Sequence, residues 1–127
     1  MNGLHLIADL HDCRCPPGLL LDAPRLESFC VEACTQHGLT VIGRLFHAFR
    51  DTADQPAGVT GAVVLAESHL AVHTWPEIGC VTLDIYVCNF SGDNSQRAHR
   101  LFAEIIARFA PARIESKEIK RGQLGNS

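Results

Sequence analysis

The stretch from residue 58 to residue 77 decides the fold and reads GVTGAVVLAESHLAVHTWPE. Its first part, Val59 to Ala66, is a continuous apolar run rich in β-branched residues, which is typical of a buried sheet strand. Its second part runs on to Gly79 and is predicted to be a broken segment, because a proline and a glycine interrupt it. A second apolar run from Cys80 to Cys88 follows directly. The middle of the chain is therefore predicted to supply two strands of a sheet.

The regions on either side extend this sheet and add two helices. Before the central stretch, the patterns predict a strand over 4–10, a loop over 11–21, a helix from Asp22 to Gly38 and a strand over 39–49. After it they predict a helix that ends at Pro111, a strand over 114–119 and a loose tail over 123–127. This second helix has an apolar stripe formed by Ala98, Leu101, Phe102, Ile105, Ile106 and Phe109. This order favours an α+β fold, a two-layer α/β sandwich with two helices on one face of a mostly antiparallel sheet. A second copy of the chain is expected to cover the other face of the sheet.

Composition limits the class of protein. The 127 residues are enough for a single domain, and 46% hydrophobic with 20% charged residues is ordinary for a soluble globular chain. A net charge of −3 predicts no strong attraction to nucleic acid or to a membrane surface. The sequence has no apolar run long enough to span a bilayer, and the first twelve residues do not resemble a signal peptide. We therefore expect a cytoplasmic protein.

The six cysteines are expected to be reduced, because disulfides are rare in the cytosol. Cys30 and Cys34 fall on the apolar face of the first predicted helix, where cysteine behaves as a small hydrophobic residue. Cys13 and Cys15 lie in a loop without the paired CxxC spacing of a zinc site.

Reactive side chains concentrate between residues 66 and 77, and two interpretations of them are set aside. His69 and His73 are four residues apart, but in extended chain that spacing separates them by about 13 Å, too far to share one metal ion. No metal site is predicted. Ser68 stands in no G-x-S-x-G turn, which makes a serine hydrolase a weak interpretation.

The same region resembles the short prokaryotic form of S-adenosylmethionine decarboxylase, a family of pyruvoyl-dependent enzymes of spermidine synthesis. The matching stretches are 4–9 (LHLIAD), 46–49 (FHAF), 58–61 (GVTG), 66–77 (AESHLAVHTWPE), Cys88 and 114–122. They occur in the same order along nearly the whole chain. The resemblance implies decarboxylation of S-adenosylmethionine to its decarboxylated form, the aminopropyl donor for spermidine.

The resemblance also implies that the single domain 1–127 cuts itself into a β chain, 1–67, and an α chain, 68–127. The Ser68 hydroxyl attacks the carbonyl of Glu67, and the amide becomes an ester. A base then removes the Cα proton, β-elimination releases the upstream chain, and hydrolysis of the resulting imine leaves a pyruvoyl group at position 68. By matching position, His73 is the processing base and Thr60 supports the oxyanion of the first step.

For the decarboxylation itself, the family pattern assigns further residues. The pyruvoyl ketone forms a Schiff base with the substrate amine and accepts the electrons left by departing CO₂, without a metal. Cys88 holds the position of the general acid, although Cys80 would share its face in a regular strand and is a rival. Phe49 and Trp75 stand where two aromatics clamp the adenine, and Glu77 where a carboxylate binds the ribose. Family members are homodimers of cleaved αβ units with active sites near the interface.

Two departures from the family pattern keep alternatives open. Thr60 stands where serine is usual, and the loop between Phe49 and Gly58 is longer and carries Asp51 and Asp54. The first alternative is a pyruvoyl-dependent decarboxylase of a basic amino acid, ornithine or arginine, since loop carboxylates can pair with a distal cationic group. The second is an uncleaved, non-catalytic paralogue that binds or regulates a partner.

Overall fold

The computed structural model describes residues 2–90 and 92–122, so the predicted tail lies outside the described residues. The strands are β1 (Gly3–Cys13), β2 (Val41–Arg50), β3 (Pro56–Leu65), β4 (Ser68–Trp75), β5 (Cys80–Cys88) and β6 (Pro111–Arg121). The helices are α1 (Gly18–Leu21), α2 (Ala23–Gln36) and α3 (Ser95–Phe109), and a 3-10 turn spans Pro76–Ile78. Within these residues no helix is both long and apolar enough to cross a membrane.

The strands form one six-stranded sheet in the order β2-β3-β4-β5-β1-β6, and every neighbouring pair is antiparallel. The helices pack on one face, which confirms the predicted two-layer α+β sandwich. The structure adds α1, a single turn inside the segment predicted to be a loop. Four residues are too few for a helical repeat to show in the sequence.

The core lies between the helices and one face of the sheet. Alternate residues of the central strands are buried there, and Ala98, Leu101, Ile105 and Phe109 of α3 are fully buried, as their spacing predicts. Each leucine or phenylalanine side chain buried in this way contributes about 1.5–3 kcal/mol to the stability of the fold. Because strand residues alternate, this core directs the remaining side chains to the opposite side of the sheet, here named the open face.

The prediction of a broken segment after residue 66 is wrong. The region from Ser68 to Trp75 is the regular strand β4, paired with both β3 and β5. Its buried residues include Leu70, Val72 and Thr74, whereas His69 and His73 lie on the open face. Burial alternates from Ser68 to Thr74, which is typical of a half-buried strand, and the extended chain ends only at the 3-10 turn.

The open face carries several large apolar side chains in contact with solvent. Leu45, Phe49, Val64, Trp75 and Ile119 all lie on it and remain between 39% and 69% exposed. A patch of this kind on the surface of a single domain marks an interaction site.

Candidate functional site

The bond between Glu67 and Ser68 lies in a tight turn. Leu65 pairs with Ser68, so β3 and β4 are joined by only two residues, Ala66 and Glu67. Glu67 has a φ of 60°, the left-handed conformation that costs a residue other than glycine about 1–2 kcal/mol. The amide of Ala66 donates a hydrogen bond to the carbonyl of Thr40 at 3.0 Å, which anchors the turn. The strained residue therefore immediately precedes Ser68.

Ser68 and Cys88 meet where the beginning of β4 lies beside the end of β5. The backbone N–H of Cys88 donates a hydrogen bond to Ser68 Oγ at 3.3 Å, and both residues are buried. The carbonyl of Cys88 accepts a hydrogen bond from the Asn94 side chain at 3.1 Å, which fixes the end of the strand. We refer to Ser68 and Cys88 together as the Ser68 group.

The rival thiol lies at the other end of β5. Cys80 is eight residues from Cys88, or about 26 Å along an extended strand. Its sulfur is 3.6 Å from His11 Nδ1 and 3.4 Å from the carbonyl of Ile78, to which it donates. The structure therefore brings Cys88, and not Cys80, to Ser68.

Thr60 and His73 form a second cluster on the open face. They are directly paired across β3 and β4, and Thr60 Oγ1 lies 3.1 Å from His73 Nδ1, within hydrogen-bond distance. His47, which sequence analysis gave no role, pairs with Thr60 from the other side. We refer to Thr60 and His73 as the His73 group.

Within one chain the two groups are far apart. Ser68 and His73 are five residues apart on β4, which corresponds to about 16 Å. An odd spacing in a strand also directs side chains to opposite faces, and Ser68 alternates with the buried Leu70 whereas His73 lies on the open face. One chain therefore does not bring His73 to the Ser68 hydroxyl.

The residues predicted to bind the adenosyl part of a substrate lie next to the His73 group. Phe49 pairs with Gly58 on β3, and the Phe49 and Trp75 rings are 48% and 39% exposed on the open face. Gly58 has a φ of 146°, and a Cβ atom there would lie 2.6 Å from the carbonyl oxygen of Thr74, so only glycine fits. The Trp75 ring lies 6.0 Å from the ring of His73.

Glu77 lies in the 3-10 turn that follows Trp75. With Asp51 and four apolar residues it lines a depression of about 500 Å³. Asp51 Oδ1 accepts hydrogen bonds from the amides of Ala53 and Gln55, at 2.8 and 3.0 Å. Asp51 therefore caps its own loop, and Glu77 is the other carboxylate of this depression.

Comparisons with known proteins show the family of the chain. The family model described as S-adenosylmethionine decarboxylase matches residues 4–122. The chain belongs to the S-adenosylmethionine decarboxylase family. An S-adenosylmethionine decarboxylase proenzyme from Syntrophomonas wolfei is 37% identical over 124 residues, covering 96% of this chain and 88% of the relative. A proenzyme of the same name from Picrophilus torridus is 42% identical over 123 residues, covering 94% and 84%.

A solved structure gives the same result. The crystal structure of the adenosylmethionine decarboxylase from Aquifex aeolicus matches with a TM-score of 0.82 and 34% identity, covering 98% of this chain and 94% of that one. Sequence and fold therefore place the chain in the S-adenosylmethionine decarboxylase family along nearly its whole length.

Proposed function

We propose that this chain is a proenzyme that cuts itself between Glu67 and Ser68 and then decarboxylates S-adenosylmethionine. The observation that carries the proposal is the Ser68 group, in which a buried hydroxyl follows a strained turn and touches the main chain of Cys88. The relatives' names, decarboxylase and proenzyme, support the reaction and the cleavage.

The turn favours the first step of cleavage. In that step Ser68 Oγ attacks the Glu67 carbonyl carbon, the C–N bond breaks, and an ester replaces the amide. Loss of the Ser68 Cα proton then expels residues 1–67 with a terminal carboxylate. One water enters and ammonia leaves, which converts residue 68 into a pyruvoyl group. The left-handed Glu67 makes the uncut turn less stable, so cleavage relieves strain.

Position 68 suits a pyruvoyl group. Ser68 is only 9% exposed, and the Cys88 amide already donates to an oxygen at this position. When formed, the group supplies an electron-accepting ketone for loss of CO₂ from an amino acid. We assign the Cys88 thiol to proton donation to the product carbon, Phe49 and Trp75 to stacking on the adenine, and Glu77 to the ribose hydroxyls.

A second copy of the chain completes the site in this proposal. The His73 group does not reach Ser68 within one chain, and both the His73 group and the exposed apolar residues lie on the open face. Packing the open faces of two copies would bury those residues and bring His73 and Thr60 of each copy to the end of β4 and β5 in the other, where the Cys88 side chain lies on the open face and the Glu67–Ser68 bond begins β4. A homodimer of cleaved αβ units follows.

The two alternatives receive less support. A basic amino acid would need loop carboxylates directed at the substrate, but Asp51 caps its own loop and Asp54 lies 3.8 Å from Arg50. A non-catalytic paralogue would have no need for the combined Ser68 and His73 groups.

The intact mass of the purified protein under denaturing conditions tests the proposal. We expect two chains of 67 and 60 residues, the shorter about 17 Da lighter than its sequence, because ammonia is lost from position 68. Ser68→Ala should remain one chain and release no CO₂ from S-adenosylmethionine. A single wild-type chain after long incubation, or a cleaved and active Ser68→Ala variant, would contradict it. Release of CO₂ from ornithine or arginine in place of S-adenosylmethionine would support the first alternative.

A further inference from the structure

We propose that His5, His69 and Asp84 form a binding site for one divalent transition-metal ion on the open face. These three side chains lie on β1, β4 and β5, which are adjacent in the middle of the sheet. His69 directly follows Ser68, but its side chain lies on the open face whereas the Ser68 hydroxyl lies on the core side, and this inference does not depend on the proposed function.

The donor atoms are close enough to share one ion. Asp84 Oδ2 lies 2.9 Å from His5 Nε2 and 3.1 Å from His69 Nε2, and all three donor atoms fall within 4.8 Å of one another. Metal–nitrogen and metal–oxygen bonds of about 2.0–2.2 Å place neighbouring ligands of an octahedral ion about 3 Å apart. Two imidazoles and one carboxylate are a donor set typical of divalent iron, cobalt, nickel or zinc, and not of calcium.

The surroundings hold these donors in place, and a single chain leaves a path for an ion before two open faces pack together. The Tyr86 ring packs beside both imidazoles, with ring centroids 5.8 Å from His5 and 5.7 Å from His69, and the two imidazoles are themselves 5.9 Å apart. Asp84 and His69 side chains remain 30% and 45% exposed. Because the three donors lie on paired strands, their positions are fixed, and fixed donors bind a metal ion more tightly than donors on flexible surface segments.

Arg121 sets the proton positions of the metal-free cluster. Its Nη1 donates to His5 Nδ1 at 3.0 Å, so His5 carries its proton on Nε2 and donates it to Asp84. When Nε2 binds a metal, that proton must be on Nδ1, where it faces the guanidinium donor. The imidazole of His5 keeps one proton throughout. Because a protonated Nδ1 cannot accept a hydrogen bond, the Arg121 guanidinium must move away. Arg121 therefore opposes metal binding.

The other histidine–carboxylate pairs provide matched controls. His37 pairs with Glu104 and His99 pairs with Glu118, at 3.3 and 3.0 Å, and neither pair has a third donor among the described residues. A histidine lost from one of these pairs removes an imidazole without removing a ligand of the proposed site.

The test is the metal content of full-length protein expressed in cobalt-supplemented medium, measured by elemental analysis and by the absorption spectrum of cobalt(II). We expect one cobalt per chain with nitrogen and oxygen ligands. The variants Asp84→Asn and His69→Gln should each lower the content at least tenfold, and His99→Gln should leave it unchanged. Arg121→Met should slow release of the ion into a chelator.

Three outcomes would overturn the proposal. The first is wild-type protein without cobalt, and the second is full cobalt content in both Asp84→Asn and His69→Gln. The third is a thiolate charge-transfer band, which would assign the ion to cysteines. If Asp84→Asn does not fold, the half-exposed His69→Gln decides alone.

Discussion

Cys88 contacts Ser68 through its main chain, while its side chain continues the alternation that places Tyr86 on the open face. Replacing the thiol therefore leaves the hydrogen bond to Ser68 Oγ intact. We expect Cys88→Ala to be cleaved like the wild type and to lose decarboxylation by about 10²–10⁴-fold, the usual contribution of a positioned general acid. The measurement is turnover of S-adenosylmethionine by the fully cleaved variant.

Cys80→Ala is the control for this variant, because Cys80 lies at the far end of the same strand beside His11. It should keep wild-type turnover. Normal turnover and correct product from Cys88→Ala, together with loss of turnover in Cys80→Ala, would reassign the acid to Cys80.

The candidate site residues could be proposed from the sequence, but their arrangement could not. The motif identified Ser68, His73 and Cys88 by position. The spacing of five residues between Ser68 and His73 determines their distance and their faces only if the segment is a regular strand, and the sequence predicted a break there. The contacts of Asp84 with His5 and His69 join residues far apart in the chain, and no local pattern encodes them.

At the scale of elements, the β3–β4 hairpin is expected to store strain that favours cleavage. Glu67 is left-handed in its second loop position, where asparagine or glycine is more stable. We expect Glu67→Asn in a Ser68→Ala background to stabilise the uncut chain by about 1 kcal/mol. Glu67→Asn alone should cleave more slowly than the wild type. Denaturant unfolding measures the first effect and a time course of intact mass the second; faster cleavage would rule out strain as the cause.

Helix α2 buries two thiols whose ionisation couples its packing to pH. Burial raises the pKa of Cys34 from 9.0 to about 12 and raises that of Cys30 further. Below pH 9 both thiols are neutral in the folded and unfolded chain. Above pH 9 the two thiols ionise in the unfolded chain but not yet in the folded chain. The free energy of unfolding therefore falls with rising pH until the folded thiols also ionise. Each thiol lowers the free energy of unfolding by about 1.4 kcal/mol per pH unit in that window.

The measurement is denaturant unfolding of the wild type and of the Cys30→Ala, Cys34→Ala double variant across this range. The wild type should lose stability faster between about pH 9 and pH 11. Equal slopes would show that the thiols are not coupled to unfolding.

The elements themselves were predicted with uneven success. Helices α2 and α3 were recognised because a buried stripe repeats along them, and Asp22 and Pro111 mark their limits. Strand β4 was missed because Pro76 and Gly79 were taken to interrupt the whole segment, whereas both lie beyond its last residue, Trp75. The single turn α1 has too few residues to carry a periodic signal.

For the whole molecule, the proposed function needs two groups of residues that one chain does not bring together. The Ser68 group lies where β4 and β5 meet, and the His73 group lies about 16 Å away on the open face. The sequence predicted an uncovered sheet face but not which functional residues lie on it. If two copies pack these faces together, each dimer contains two composite sites.

Co-expression of Ser68→Ala and His73→Ala chains in equal amounts tests this arrangement. Neither variant should be cleaved when expressed alone. In a mixed dimer, the Ser68 of the His73→Ala chain faces an intact His73 of the other, so one composite site is complete. Random pairing places about half of the chains in mixed dimers, and we therefore expect about half of the His73→Ala chain to be cut after Glu67. A partner carrying both substitutions is the control and should give no cutting. If the His73→Ala chain stays whole with the Ser68→Ala partner, His73 does not act across the interface.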